Sequence, residues 1–302
     1  MIRVLVPYAD WPATLDLPDG VLADVWEGSG DPPATLPEVE LFVPPYLADT
    51  GLRLIPEMPR LRVVQTLTAG VDDIRPHIPE GVTLCNAHGV HDASTAELAV
   101  GLTLAALRGI PDFVRAAELG RWSHDTRQSL ADRRVLIVGY GAVGAAVEAR
   151  LAGFEVEVRR VVRHARDGVS SFESLPSLLP WAEVVVLAVP MTDETRGLVD
   201  AGFLASLPDG ALVVNVSRGP VVVTDALLAE VSSGRLLAAL DVTDPEPLPE
   251  DHPLWHTPGV LISPHVGGDT TAFLPRARAL VAAQIARYAA GEPLANVITS
   301  AY

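Results

Sequence analysis

The stretch VLIVGYGAVGAAVEARL, residues 135–151, decides how the rest of the chain is read. It opens with an apolar run of strand type, passes through Gly139-x-Gly141-x-x-Gly144, and continues in a helical pattern. Glycine lets the backbone turn tightly there and approach a pyrophosphate, which sits over the positive end of the helix. A lone GxGxxG is a weak sign. A strand before it and a helix after it make it the mark of a dinucleotide site, the alternative being a merely tight turn.

Working outward, the segments RVLIVG, VEVRRVV, EVVVLAV, ALVVNV, LLAALDV and VLISP form a series of β runs from Arg134 onward. Their near-continuous apolar character implies a sheet covered on both faces. Upstream, IRVLVP, VELFVP, LRVVQTL and GVTLCN alternate with helical or loop stretches, the rhythm of a parallel α/β unit. Residues 92–108, DASTAELAVGLTLAALR, read as one long helix, apolar nearly all round, as expected of a helix buried between domains or subunits. Residues 272–290 form a final amphipathic helix, and the proline-rich DPEPLPEDHP at 244–253 reads as an ordered surface loop.

The 302 residues, 49% hydrophobic and 20% charged, suffice for two domains with cores of their own. A single cysteine, Cys85, rules out an intrachain disulfide framework and reads as a small buried side chain in a reducing compartment. The N-terminal apolar run is broken by charge and proline before a signal-peptide core forms, and nothing approaches the roughly 18 apolar residues of a membrane span. These features are expected of a cytoplasmic protein. A formal net charge of −16 argues against nucleic acid or an anionic membrane as partner. All 22 basic residues are arginine, which excludes Schiff-base chemistry and lysine as a proton donor.

Against that acidic balance, VEVRRVVRHAR at 156–166 carries four arginines and a histidine. In an NAD site an acid about 20 residues beyond the glycines bonds the ribose hydroxyls. Here the second strand ends in Val161, Val162, Arg163 and His164, with no carboxylate. Arg163, with His164 and Arg166 nearby, is placed to surround a 2′-phosphate, so NADP is the expected cofactor. The alternative is that these arginines only solvate the strand end, which leaves NAD possible.

Three further segments end strands of the same sheet: NVSRG at 215–219, LDVTDPEP at 240–247 and SPHVGG at 263–268. Ligands of open α/β sheets bind outside the carboxyl ends of the strands, so Arg218, Glu246 and His265 are expected to converge near the nicotinamide. Reduction of a 2-keto acid needs a cation for the carboxylate and carbonyl, and an acid for the oxygen. Arginine suits the first role and histidine beside a carboxylate the second.

Taken with TAGVDDI at 68–74, CNAHGVHDASTAELAVGLTLAALR at 85–108 and VPMTDETRGLV at 189–199, these motifs resemble the D-isomer-specific 2-hydroxyacid dehydrogenase family over nearly the whole chain. The resemblance implies that Arg218 binds and polarises the substrate, that Glu246 pairs with His265, and that His265 is the proton donor or acceptor. It implies that Ala69, Gly70 and Val71 present backbone groups to the substrate carboxylate. Tyr140, Ala142, Val143, Pro190, Thr195, Val216, Asp241, Gly267 and Gly268 match cofactor-lining positions, and no metal is implied. The implied architecture is two Rossmann-like or flavodoxin-like parallel-sheet domains with the active site in the cleft between them. The first is discontinuous, 1–93 plus 272–302, and binds substrate; the second, 94–271, binds NAD(P). The long helix belongs to the part of the cofactor domain that forms a homodimer.

The absence of an acid at Val162 and the LDVTDPEPLPEDHP segment are similar to the NADPH-using glyoxylate and hydroxypyruvate reductase branch. ValProProTyr at 43–46 lies where phosphoglycerate dehydrogenases offer an arginine, which points to an unphosphorylated substrate. The chain is also expected to lack the regulatory domain such enzymes often add. The expectation is therefore an NADPH-dependent reductase of a small 2-keto acid. Its alternatives are an NAD-dependent D-2-hydroxyacid dehydrogenase of other specificity and a nucleotide-sensing protein of the corepressor kind.

Overall fold

The apolar runs assemble into two parallel sheets, one in each of two units: Met1–His91 with Thr271–Tyr302, and Asp92–Thr270. The computed structural model describes residues 1–46 and 49–299.

In the first unit the strands are β1 (Ile2–Val6), β2 (Val21–Val25), β3 (Leu41–Phe42), β4 (Val63–Gln65) and β5 (Thr83–Cys85). Among the described residues their order is β2-β1-β3-β4-β5, all parallel. Alternation along a strand sends neighbours to opposite faces. Val4 and Val6 join Leu41 and Val63 in one core, while Leu5 joins Phe42 and Val64 in another. The helix Phe273–Ala290 closes the first core with Phe273, Ala277, Val281 and Ile285, every fourth residue and hence a single stripe. Gly291 ends that helix in the left-handed region at φ 68°, where a side chain would be strained.

The second unit contains β6 (Arg134–Val138), β7 (Glu157–Val162), β8 (Ser170–Ser171), β9 (Val184–Leu187), β10 (Leu212–Asn215), β11 (Leu237–Leu240) and β12 (Val260–Ile262). The order β12-β11-β10-β9-β6-β7-β8 reverses direction at β6. That reversal is the topological switch point at which open α/β sheets bind ligands. Leu136, Val138, Val185, Leu187 and Val213 pack on one face; Val135, Ile137, Val184, Val186 and Val214 pack on the other with Ala96, Ala99 and Leu102 of the long helix Asp92–Arg108. Both faces are covered, as the unbroken apolar runs imply. Burying one such side chain stabilises the fold by roughly 1.5–3 kcal/mol.

Two strands are absent from the sequence reading. β2 is an edge strand whose Leu22 is exposed and whose Asp24 pairs with Arg3 at 2.9 Å, so it has no clean apolar pattern. β8 is two serines that pair beside β7.

Candidate active site

All seven strands of the second sheet run parallel, so their carboxyl ends share one edge, and the expected residues of this unit lie along it. At the end of β6, Gly139 has φ 99°, and a Cβ there would lie 2.5 Å from the Ala188 backbone. A Cβ on Gly144 would lie 2.2 Å from the Gly139 carbonyl oxygen, so this glycine lets the helix Ala142–Leu151 pack directly on the strand. At Gly141, the residue before the helix, a Cβ would meet no protein atom within 4 Å. Two glycines are therefore required by the fold, while the third leaves the helix N-terminus approachable. This is the cradle a dinucleotide pyrophosphate needs.

The arginines of 156–166 divide into two groups. Arg160 binds both oxygens of Glu148, which also accepts from the Tyr140 hydroxyl. The Arg160 hydrogen bond holds the Glu148 carboxyl below the ordinary carboxylate range. Arg159 bridges to Glu157 at 3.2 Å and lies 4.1 Å over the Trp181 ring. These two arginines are occupied by the strand and its helix. Arg163 and Arg166 lie beyond the strand end. Arg166 donates to the Tyr140 carbonyl inside the glycine loop, and Arg163 pairs with Glu194. His164 is exposed beside them.

The strand end thus has an acid after all, contributed by a residue 31 positions away in the turn after β9. That turn is locked by the buried Thr195, whose hydroxyl donates to the Pro190 carbonyl at 2.6 Å and accepts from the Thr192 N–H at 2.8 Å. Glu194 escapes sequence reasoning because a spacing argument along one strand contains no signal from another strand's loop.

Beyond β10, buried Asn215 knits the turn that carries Arg218. Its Oδ1 accepts from the Ser217 N–H and hydroxyl at 3.0 and 2.7 Å, and its amide donates to the Arg218 carbonyl at 3.0 Å. Val216, inside the same turn, is buried. A Cβ on Gly219 would lie 1.8 Å from the Thr243 carbonyl oxygen, so glycine is what allows this turn to meet the loop that leads to Glu246.

Asp241, at the end of β11, holds the loop after β12. Its carboxylate accepts from the Ser263 hydroxyl at 2.6 Å, the Val266 N–H at 3.0 Å and the Gly267 N–H at 2.9 Å. Its carbonyl accepts from the His265 N–H at 2.8 Å. These bonds keep His265 at φ 53°, a region sparsely populated by side-chain-bearing residues. Gly268 completes the loop beyond Gly267.

His265 Nδ1 lies 2.5 Å from Glu246 Oε1, with both side chains partly open to solvent. The hydrogen bond that His265 donates to Glu246 raises the His265 pKa above its ordinary value, and the same bond lowers that of Glu246. Arg218 is near enough for its charge to oppose protonation of His265 and to favour ionised Glu246. With Nδ1 committed to the carboxylate, Nε2 is the atom free to exchange a proton. The site therefore brings a cation, an imidazole paired with a carboxylate and a glycine cradle suited to a dinucleotide along one sheet edge. Ala69, Gly70 and Val71 belong to the other unit, in the loop after β4.

The chain is similar to known proteins over most of its length. Residues 100–267 match the model of the D-isomer specific 2-hydroxyacid dehydrogenase NAD-binding domain. The glyoxylate reductase of Thermofilum pendens is 32% identical over 251 residues, 78% of this chain and 74% of that protein. The human glyoxylate reductase/hydroxypyruvate reductase is 32% identical over 248 residues, 78% of this chain and 76% of the human one. A D-isomer specific 2-hydroxyacid dehydrogenase from Xanthobacter autotrophicus, solved in complex with NADPH and MES, superposes with a TM-score of 0.83 at 33% identity, covering 98% of this chain and 97% of that one. The chain belongs to the D-isomer specific 2-hydroxyacid dehydrogenase family of NAD(P)-dependent oxidoreductases.

Proposed function

We propose that this protein reduces a small, unphosphorylated 2-keto acid of the glyoxylate or hydroxypyruvate kind to the D-2-hydroxy acid, with NADPH as cofactor. The observation that carries the reading is the 2.5 Å His265–Glu246 pair with the Arg218 charge beside it. When bound, the nicotinamide cofactor supplies the hydride. Arg218 grips the substrate carboxylate with its fork and draws electron density from the ketone. His265, held by Glu246 through Nδ1, gives its Nε2 proton to the ketone oxygen as negative charge develops there. The Glu246 charge favours the protonated imidazole. In the oxidative direction the neutral imidazole takes the proton back. The backbone of Ala69, Gly70 and Val71 serves the carboxylate.

Several observations support the NADPH assignment. Val162 stands where an NAD site has its acid, Arg163 follows it at the strand end, and Arg166 donates to the glycine loop. The Xanthobacter relative was solved with NADPH. The Arg163–Glu194 pair favours a second reading, in which the arginine is neutralised and NADH serves instead. Positions 43–46, ValProProTyr, have no cation to receive a substrate phosphate.

A homodimer belongs to the same proposal. Ile110, Val114, Leu119 and Trp122, on and just after the helix Ile110–Glu118, are exposed apolar side chains, with Trp122 at 95%. Such a ridge fits a second copy of the chain. The buried thiol of Cys85 suits a reducing compartment such as the cytoplasm.

The test is the initial rate of NADPH and of NADH oxidation with glyoxylate, hydroxypyruvate, pyruvate and a bulky aromatic 2-keto acid. NADPH with the small acids is expected to be fastest. Faster turnover with NADH rejects the cofactor assignment, and no turnover with any of the acids rejects the reaction.

A further inference from the structure

Three consecutive peptides in the loop after β4 are held by their carbonyl oxygens. The Thr68 carbonyl accepts from the Ala87 N–H at 2.9 Å and the Thr66 hydroxyl at 2.8 Å. The Ala69 carbonyl accepts from the Asn86 carboxamide at 2.7 Å, and the Gly70 carbonyl from the Thr68 hydroxyl at 2.8 Å. In a trans peptide the N–H points opposite to the carbonyl. Fixing these oxygens therefore turns the N–H groups of Ala69, Gly70 and Val71 away from the donors. Among the described residues, neither the Gly70 nor the Val71 N–H donates to a protein acceptor. Adjacent N–H groups presented in this way make a concavity suited to an anion.

Asn86 is itself aligned from the core. The His88 N–H donates to its Oδ1 at 3.2 Å, which commits Nδ2 to Ala69. Its backbone carbonyl accepts from buried Gln65 at 3.0 Å, and Gln65 accepts from buried Gln284 of the final helix at 2.8 Å. The carboxamide thus reaches the loop from a buried polar network that extends to another element.

We infer that Asn86 and Thr68 are positioning residues that aim the Gly70 and Val71 amides at the substrate carboxylate, without touching the substrate themselves. The inference rests on the keto-acid reduction proposed above. It adds two side chains to the binding machinery, both acting through backbone they orient. If these bonds merely stabilised the turn, their loss would lower stability without selecting one ligand.

The experiment compares Thr68→Val, Thr68→Ser and Asn86→Asp with the wild-type enzyme. Valine removes the hydroxyl at nearly constant volume and serine restores it. Aspartate puts an acceptor where Asn86 donates. The readouts are KM for glyoxylate, kcat, the inhibition constant of oxalate, NADPH affinity by fluorescence titration, and the unfolding temperature. Thr68→Val and Asn86→Asp are expected to raise KM and the oxalate constant together by about tenfold, with kcat within about threefold and NADPH affinity unchanged. Thr68→Ser should stay near the wild type. Unchanged KM and oxalate binding in both altered enzymes, or losses confined to kcat and stability, would overturn the inference while leaving the reductase reading in place. A wild-type enzyme that neither reduces keto acids nor binds oxalate would overturn both. If one altered protein does not fold, KM and oxalate binding in the other decide the matter by the same criteria.

Discussion

The ends of β11 and β12 and the end of β7 lie on the same edge of one sheet, yet they are built in opposite ways. At the first, Asp241 is 3% exposed and holds the His265 loop with three donors to its carboxylate and one to its carbonyl. At the second, Arg163 and Glu194 meet with side chains 47% and 51% exposed. Burial makes the first arrangement costly to disturb, because every unmatched donor left inside carries its full desolvation penalty. An exposed ion pair contributes at most about 1 kcal/mol and rearranges readily. The proposed proton donor is thus placed by backbone and buried bonds, whereas the proposed choice between cofactors rests on solvated side chains that can change without disturbing that placement.

The largest expected effect is at the rigid end. His265→Ala should lower turnover by roughly 10² or more while leaving NADPH titration unaltered, the scale of general acid catalysis. Undiminished turnover would remove His265 from the reaction. Next in size is Asp241→Asn, which replaces one acceptor oxygen with an amide facing backbone N–H groups. Chemical denaturation should report a loss of about 1–3 kcal/mol, with a matching fall in kcat. If the altered protein equals the wild type in both, the loop is no more rigid than the β7 end and the contrast fails.

Effects at the solvated end should be smaller and confined to cofactor binding. Arg163→Ala is expected to raise KM for NADPH by about tenfold and leave that for NADH unchanged, as the loss of one charge-assisted contact implies. An equal change for both cofactors would mean that the arginine does not meet the 2′-phosphate. Glu194→Gln should act the other way and least, lowering KM for NADPH about two- to threefold by releasing Arg163 from an exposed pair. A rise instead would show that Glu194 holds Arg163 in its working position.

The difference between the two ends also explains what could be read from the sequence. The glycine loop was legible because its glycines answer local needs: a positive φ at Gly139 and backbone contact at Gly144. The apolar strands were legible because both sheet faces are buried. By contrast, β2 and β8 are short edge elements whose residues are largely open to solvent, and composition gives them no signature. Glu194 and the carboxylate bonds of Asp241 join segments about 20 to 30 positions apart, a distance over which no periodicity operates. Arg159 and Arg160 stood in the same basic run as Arg163, and only their partners Glu157 and Glu148 separate them from it.

The central claim is that His265 delivers the proton and that Glu246 tunes it, and the pH dependence of keto-acid reduction tests this most directly. Reduction requires the protonated imidazole, so the rate should hold at low pH and fall as pH rises through a His265 pKa that Glu246 has raised. Glu246→Gln removes the charge that favours the imidazolium, and the fall should move to lower pH; oxidation should rise over the same interval in each enzyme. An alkaline limb that stays in place when Glu246 becomes glutamine would contradict the account.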